Sequence, residues 1–281
     1  MTDQEIGPLR NPVLIAAFEG WNDAGDAATA AIEHLEIAWS ARPIAAIDPD
    51  DYYDFQVNRP TVTLVNGETR RIQWPTTRLS LCKLDERDVV LVRGLEPNMR
   101  WRAFCDELLA IAHELEVGMC VTLGALLADA PHTRPIPVTG SASDAAVAAR
   151  LQLDGSRYEG PTGIVGVFHD ACLRAGLSSV SFWAAVPHYV SQPPCPKASL
   201  ALLHRIEDLL EVSVPLGDLP ESARAWERGV DELAEEDSEV ADYVRSLEQR
   251  DDITELPEAS GDQIAREFER YLRRGGDDDP D

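Results

Sequence analysis

The chain has 281 residues, enough for one large domain with an appendage or for two small domains. Its hydrophobic content of 44% and charged content of 27% are those of a globular protein and exclude a fibrous or wholly disordered one. With 50 acidic against 25 basic residues the formal net charge is −25, which repels phosphate backbones and anionic bilayers. Neither nucleic acid nor a membrane is therefore expected as a partner.

The sequence predicts a cytoplasmic protein without disulfides. Residues 1–5 include acidic side chains where a signal peptide needs a positive segment. The longest uncharged stretch, 175–196, is interrupted by prolines and predicts a buried strand followed by a loop, not a bilayer span. The five cysteines form no CxxC pair, so neither a disulfide framework nor a zinc ribbon is indicated.

Up to about residue 212, buried strands alternate with amphipathic helices. Continuous apolar runs that predict strands occupy 13–18, 89–92, 119–123 and 180–186. Helical patterns with one apolar face follow over 28–39, 101–115, 163–173 and 196–212. Strands that are apolar throughout indicate a mostly parallel sheet covered by helices on both faces.

Two segments interrupt this alternation. Residues 61–65 and 69–74 alternate with period two around Asn66-Gly67, a preferred pair for a type I′ turn, and predict an inserted β-hairpin. Residues 131–137 contain three prolines and predict an extended loop.

The composition changes at about residue 217. Residues 217–281 hold 22 acidic residues and 8 arginines, a net charge of −14. Apolar side chains there recur every three or four residues and predict two or three short helices, each with a narrow apolar stripe: Leu219, Ala223, Trp226, Val230 and Leu233, then Val240, Tyr243, Val244 and Leu247, then Ile264, Phe268 and Tyr271. We therefore predict an α/β domain over 1–215, an acidic helical extension over 216–274 and a disordered tail over 275–281.

Motifs that carry known chemistry are missing from the sequence. It has no Walker A sequence, no GxGxxG, no GxSxG and no zincin helix, and the SxxK match at Ser80–Lys83 lacks its companion motifs. No two histidines are spaced for a metal site, so no metal or cofactor is expected. His169 and Cys172 lie one helical turn apart, but their apolar helix predicts a buried, inert thiol.

Polar residues that follow the predicted strands are the candidate site, because open α/β sheets bind ligands at the carboxyl ends of their strands. Asn22 is interpreted first as a helix cap, and Arg93 with Glu96 as a solvated pair. The rigid loop, through His132 and Arg134, would suit an anion or a partner's carboxylate. The candidate ligand or partner contacts are Asn22, Asp23, Arg93, Glu96, His132, Arg134, Thr162 and His188.

Four segments, in this order, resemble the proteasome assembly chaperone 2 family in its actinobacterial form. They are Phe18–Gly25, Pro131–Pro135, Gly160–Gly163 and Phe182–Tyr189, within a match over about 12–212. The resemblance implies a three-layer α/β/α sandwich of the nucleoside phosphorylase and hydrolase type, and a binding protein without a catalytic set. It also implies a homo-oligomer, with a trimer favoured, and proteasome subunits as partners. Eukaryotic and archaeal relatives can dock through a C-terminal hydrophobic-Tyr-any tripeptide, whereas this sequence ends Asp279-Pro280-Asp281.

Two functional hypotheses follow. In the first, the protein is a non-catalytic assembly factor that presents a surface to protein partners, and apolar surface on the hairpin and on the seam Trp226, Val230 and Leu233 makes it self-associate. In the second, the crevice residues converge on a phosphate or nucleoside, as in an enzyme or sensor.

Overall fold

The computed structural model describes residues 6–65, 69–155 and 158–249. The strands of the described residues are β1 (Val13–Glu19), β2 (Arg42–Ala46), β3 (Thr61–Val65), β4 (Thr69–Gln73), β5 (Arg78–Lys83), β6 (Asp88–Leu95), β7 (Met119–Ala128), β8 (Val138–Ala142) and β9 (Ser178–Pro187). The α-helices are α1 (Ala27–Ala38), α2 (Trp101–Glu114), α3 (Ala145–Arg150), α4 (Ile164–Arg174), α5 (Pro196–Leu210), α6 (Leu219–Glu236) and α7 (Ser238–Glu248).

Seven strands form one sheet in the order β2-β5-β6-β1-β7-β9-β8. The four central strands, β6, β1, β7 and β9, are parallel, while β5 and β8 pair antiparallel with β6 and β9 respectively, and β2 pairs antiparallel with β5. Strand β1 lies at the centre, where Val13 aligns with Val89 on one side and Met119 on the other. The prediction of a mostly parallel sheet is confirmed.

Helices cover both faces of this sheet, as a strand that is apolar throughout requires. Alternate residues of β1 point to opposite sides: Ile15 belongs to a core closed by α1 and α5, and Leu14 to a second core closed by α2 and α4. In the second core Phe18 meets Phe104 edge to face at 5.8 Å between ring centroids. The three-layer α/β/α sandwich is therefore confirmed.

Strands at the sheet margins differ most from the sequence expectation. The two edge strands β2 and β8 were not predicted, because each is short and hydrogen-bonds on one side only, so no long apolar run marks it. Strand β6 also runs further than the apolar run 89–92. It pairs with β1 as far as Leu95, which places Arg93 inside the strand and not after it.

The predicted hairpin is present as a separate two-stranded sheet of β3 and β4, in which Thr61 aligns with Gln73 and Val65 with Thr69. The predicted turn at Asn66-Gly67 lies outside the described residues. At the base of the hairpin, Trp74 packs edge to face on Phe55, with ring centroids 4.8 Å apart.

Two helices of the predicted extension, α6 and α7, are present, and α6 packs on α5. The third apolar stripe, at 264–271, and the predicted tail at 275–281 lie outside the described residues. The boundary near residue 215 stays a prediction. Across 6–65, 69–155 and 158–249, no helix has both the length and the apolar character that a bilayer crossing requires.

Candidate functional site

The turn after β1 closes on the first turn of α1 through Asp23. This carboxylate is 5% exposed, and its Oδ1 accepts hydrogen bonds from the backbone N–H of Ala28 at 2.7 Å and of Thr29 at 3.2 Å. The hydroxyl of Thr29 donates to Oδ2. Burial raises the pKa of Asp23 to about 6, although these three hydrogen bonds act to lower it. The helix cap that the sequence interpretation gave to Asn22 is therefore made by Asp23.

Asn22 instead reaches a different helix, α4. Its side-chain Oδ1 accepts from the N–H of Val165 at 3.4 Å, and Glu96 Oε1 accepts from the N–H of Ile164 at 2.8 Å. Burial raises the pKa of Glu96. The expected pair of Glu96 with Arg93 is wrong, because residues 93 and 96 lie on opposite faces of β6 and its continuation, and Glu96 is turned toward α4.

Gly163 makes this arrangement sterically feasible. A Cβ at this position would lie 2.0 Å from Asn22 Oδ1 and 2.7 Å from Glu96 Oε1, so a larger residue would displace both acceptors from the helix end. Thr162, the candidate residue just before it, is exposed, and its Oγ1 lies over Gly166 in the first turn of α4.

Two of the helix N-termini at this end of the sheet, those of α1 and α4, are therefore occupied by side chains of the chain itself. Free N–H groups and the positive end of the helix dipole make such termini the usual place for a phosphate in an α/β crevice. Here the Asp23 carboxylate occupies the N-terminus of α1, while Glu96 and Asn22 occupy that of α4.

Arg93 belongs to a separate group on the α1 face of the sheet. Its Nη2 lies 3.0 Å from Glu36 Oε2 and its Nη1 3.6 Å from Glu33 Oε2. A small pocket beside this pair is lined by Glu19, Glu36, Thr76, Arg78, Arg93 and Gly94. The lining holds two glutamates and two arginines, so the pocket is close to neutral and has no excess of positive charge for an anion.

The proline-rich loop 131–137 follows β7, and His132 is its most buried side chain at 1% exposure. The hydroxyl of Tyr189 accepts from the backbone N–H of His132 at 2.7 Å and lies 2.8 Å from its Nδ1. On the other side of the ring, Nε2 lies 3.0 Å from Asp231 Oδ1 on α6. A neutral imidazole with its proton on Nε2 satisfies all of these contacts, since Tyr189 can donate to Nδ1.

Lys197, at the start of α5, connects the same loop to α6. Its ammonium donates to the carbonyl of His132 and to Glu227 Oε2, each at 2.5 Å, and its side chain is only 15% exposed. Through these two partners, Lys197 connects α5 with α6 and with the proline-rich loop.

The remaining loop residues bind α7. Thr133 donates to Glu248 Oε1 at 2.6 Å, and Arg134 donates to the carbonyl of the same residue. His188 lies 3.4 Å from Asp129 by its Nδ1, and its ring meets Tyr243 of α7 edge to face at 5.1 Å. We call this group the extension clamp; it comprises His132, Thr133, Arg134, His188, Tyr189 and Lys197 with their partners Glu227, Asp231, Tyr243 and Glu248.

The candidate residues thus form three groups and not one convergent site. Asn22, Asp23 and Glu96 cap helices, with Thr162 beside them, Arg93 pairs with glutamates of α1, and His132, Arg134 and His188 hold the extension. Sequence reasoning found the rigid loop but missed Lys197 and Asp231, its partners in the clamp. That Lys197 is one of only two lysines in the chain was the only signal available.

The three seam residues of α6 have different environments. Val230 is 3% exposed, and Trp226 packs against the core that α1 and α5 close, so both contribute to docking α6 within its own chain. Leu233 is 55% exposed. Of the three seam residues, Leu233 alone is more than half exposed.

The cysteines are all buried, and a side-chain hydrogen bond with Cys172, together with burial, raises the pKa of Cys120 well above its ordinary value. Cys172 has 0% exposure, and His169 does not activate it but lies 2.8 Å from Ser179 Oγ by its Nδ1. The prediction of a buried thiol at this position is confirmed. Within the described parts of the chain, no group of histidine, cysteine and acidic side chains is arranged to hold a metal ion.

Comparison with solved structures gives close relatives of the same fold. A PAC2 family protein from Streptomyces avermitilis is 63% identical, with a TM-score of 0.78 over 83% of this chain and 99% of that one. A proteasome-assembly chaperone homologue from Mycobacterium tuberculosis is 60% identical, with a TM-score of 0.76 over the same shares. An archaeal proteasome activator from Pyrococcus furiosus, 14% identical over 82% of this chain and 96% of its own, shares the fold with a TM-score of 0.67.

Curated proteins gave no match. The model of the PAC2 family matches residues 17–234, which include the capped helix ends, the proline-rich loop and most of α6. The matched range is well over half of the sequence, and the resemblance found in four short segments extends through the sandwich. The chain therefore belongs to the PAC2 family.

Proposed function

We propose that this protein is a non-catalytic, cytoplasmic assembly factor that acts by binding other proteins, with proteasome subunits as its partners. The observation that carries the proposal is the filling of the crevice from within. Carboxylates of the chain cap the N-termini of α1 and α4, which are two of the helix ends where a phosphate would bind, and the extension clamp occupies the loop after β7. Because the chain itself occupies these positions in the crevice, we expect the protein to bind its partners through its outer surface.

The choice of partner rests on the relatives. The Mycobacterium tuberculosis protein, 60% identical to this chain, is described as a proteasome-assembly chaperone homologue. The resemblance of the sequence to that family adds self-association, with a trimer favoured. The alternative of a phosphate or nucleoside enzyme loses support, because its proposed anchors Asn22, Arg93 and His132 are engaged in three separate groups.

Purified chain should be mixed with purified proteasome α and β subunits of its own organism, and the products followed by native mass spectrometry. We expect a defined complex with α subunits or with an assembly intermediate. Calorimetry with phosphate, adenosine and nucleotides should give no saturable heat. Saturable nucleotide binding that Glu96→Ala abolishes, with no subunit complex, would refute the proposal.

A further inference from the structure

The hairpin of β3 and β4 carries an apolar face that the described residues leave about half exposed, although Trp74 at its base packs on Phe55. Val62 aligns with Ile72 across the two strands, and Leu64 and Trp74 follow at two-residue spacing on the same side. Their exposed fractions are 49%, 54%, 62% and 47% respectively. We call these four residues the hairpin face. A two-stranded sheet is only marginally stable by itself, and neighbouring exposed apolar side chains of this size mark a contact surface.

The same segment is basic, unlike the rest of the chain. Residues 56–78 hold four arginines and one acidic residue in a protein of net charge −25. All four arginines are exposed: Arg59, Arg70, Arg71 and Arg78. The hairpin thus combines an apolar face with positive charge, which suits an acidic surface that also offers an apolar side chain.

A surface of that kind lies at the junction of α6 and α7. Residues 231–242 hold seven acidic residues and no lysine or arginine, and all seven are exposed. Leu233, 55% exposed, lies among them. We call residues 231–242 the acidic corner.

Within one chain the hairpin face and the acidic corner lie on different parts of the sheet. The hairpin connects β2 with β5 near one edge, whereas Asp231 of the corner is held by His132, just after β7. Three strand spacings separate β5 from β7, about 14 Å at the usual spacing of neighbouring strands. In the structure the hairpin side chains stay exposed, so the two surfaces of one copy do not cover each other.

From these observations we infer that the hairpin face of one copy docks on the acidic corner of a second copy. This inference rests on the proposed function, since it names the first protein that the protein-binding surface contacts. Long-range repulsion between two molecules of charge −25 is screened beyond about 8 Å at physiological salt, so opposite local charges and apolar contact decide the association. The contact joins two different surfaces, so it is heterologous and builds a closed ring or an open chain of copies.

The test uses sedimentation equilibrium of the full chain at micromolar concentration. The hairpin variant carries Leu64→Glu and Ile72→Glu, and the corner variant carries Leu233→Arg and Glu235→Arg. Ile37→Glu is the matched control, because Ile37 is 75% exposed on α1 and belongs to neither surface. We expect the wild type and the control to exceed the monomer mass of 30.9 kDa, and each of the two variants to associate at least about tenfold more weakly.

Mixing the two variants gives the sharpest result. Each variant keeps one intact half of the contact, so an equimolar mixture should form a one-to-one dimer and nothing larger. Thermal melts of each variant within a few degrees of wild type would show that both are folded. Should a variant fail to fold, the single substitutions Arg70→Glu and Glu236→Arg provide the same mixing test, since Arg70 aligns with Leu64 on the hairpin face.

Three results would overturn the inference: a monomeric wild type, a hairpin variant that keeps the wild-type mass, or folded variants that do not combine. The proposed function is judged separately, by binding of proteasome subunits. If the wild type were monomeric and the hairpin variant no longer bound proteasome subunits, the hairpin face would be the surface that binds those subunits. The self-docking inference would then fail while the proposed function stood.

Discussion

The crevice end of the sheet and the hairpin differ in which side chains they bury and which they expose. At the crevice, His132, Asp23 and Glu96 are the residues that suggest chemistry, and each is hydrogen-bonded within the chain. At the hairpin, the apolar side chains of Val62 and Leu64 have no catalytic or ligand-binding group, and both are exposed. The comparison teaches that the polar residues of the crevice stabilise the fold, while the apolar residues of the hairpin are the ones left exposed.

The first way to break this comparison is to disturb the capped end of α4. Gly163→Ala places a methyl group 2.0 Å from Asn22 Oδ1, so the caps on Ile164 and Val165 must move apart. We expect the free energy of unfolding to fall by about 3 kcal/mol, as overpacking and lost caps combine. Chemical denaturation of the wild type and the variant measures this free energy.

The matched control for this substitution is Gly155→Ala, because no atom of the described residues lies within 4 Å of its Cβ position. Its effect should stay within about 0.5 kcal/mol. Equal effects at the two glycines would show that the capped end of α4 is not a tightly packed structural site.

A second substitution tests whether the extension clamp is structural. Lys197→Met removes the bonds to the His132 carbonyl and to Glu227 while keeping a long side chain. We expect a loss of about 2 kcal/mol, since two enclosed acceptors lose a charged donor. Amide hydrogen exchange should accelerate in α6 and α7 and stay unchanged in β1 and β6.

The exposed pair of Arg174 with Asp170 is the control for Lys197, and Arg174→Ala should cost about 0.5 kcal/mol or less. If exchange in α6 is the same in Lys197→Met as in the wild type, the clamp does not hold the extension.

A third prediction concerns pH and Asp23. Its folded pKa of about 6 lies above the ordinary value of 3.8, so the folded protein binds the extra proton between these values. Stability from this group is therefore present below about pH 4 and is lost as the pH rises through about 6. Asp23→Asn keeps an acceptor for Ala28 and Thr29 without the buried charge.

We therefore expect Asp23→Asn to raise the free energy of unfolding at pH 7.5 by about 1–2 kcal/mol and to flatten its dependence between about pH 4 and 6. Urea titrations at several pH values measure both. A variant that is destabilised at pH 7.5, or one that keeps the wild-type pH dependence, would contradict the prediction.

The smallest effect is expected at Arg134. Its guanidinium binds the carbonyl of Glu248 on α7, so Arg134→Lys keeps the charge and should cost about 1 kcal/mol or less. Calorimetry with phosphate and nucleotides should be flat for both forms. Binding by the wild type that the lysine variant loses tenfold would return this loop to the role of an anion site.

Sequence patterns alone determined the layers of this protein. Each layer leaves a local pattern in the sequence, because the number of buried faces decides how often apolar residues recur. A strand buried on both faces is apolar throughout, as at 13–18 and 180–186. An amphipathic helix has an apolar residue every three or four positions, and the strands β3 and β4 alternate with period two. Four short segments in order also identified the family, and the family model matching 17–234 bore this out.

Only the tertiary structure decided which polar groups meet. Asn22 and Val165 are 143 positions apart, and His132 and Asp231 are 99 apart, so no local pattern relates them. Hydrogen bonds of this range depend on the strand order of the sheet and on where the extension docks. The edge strands β2 and β8 were not predicted because they depend on tertiary contacts as well. Each becomes a strand by hydrogen bonding to one neighbouring strand, and its own residues carry no clear strand pattern.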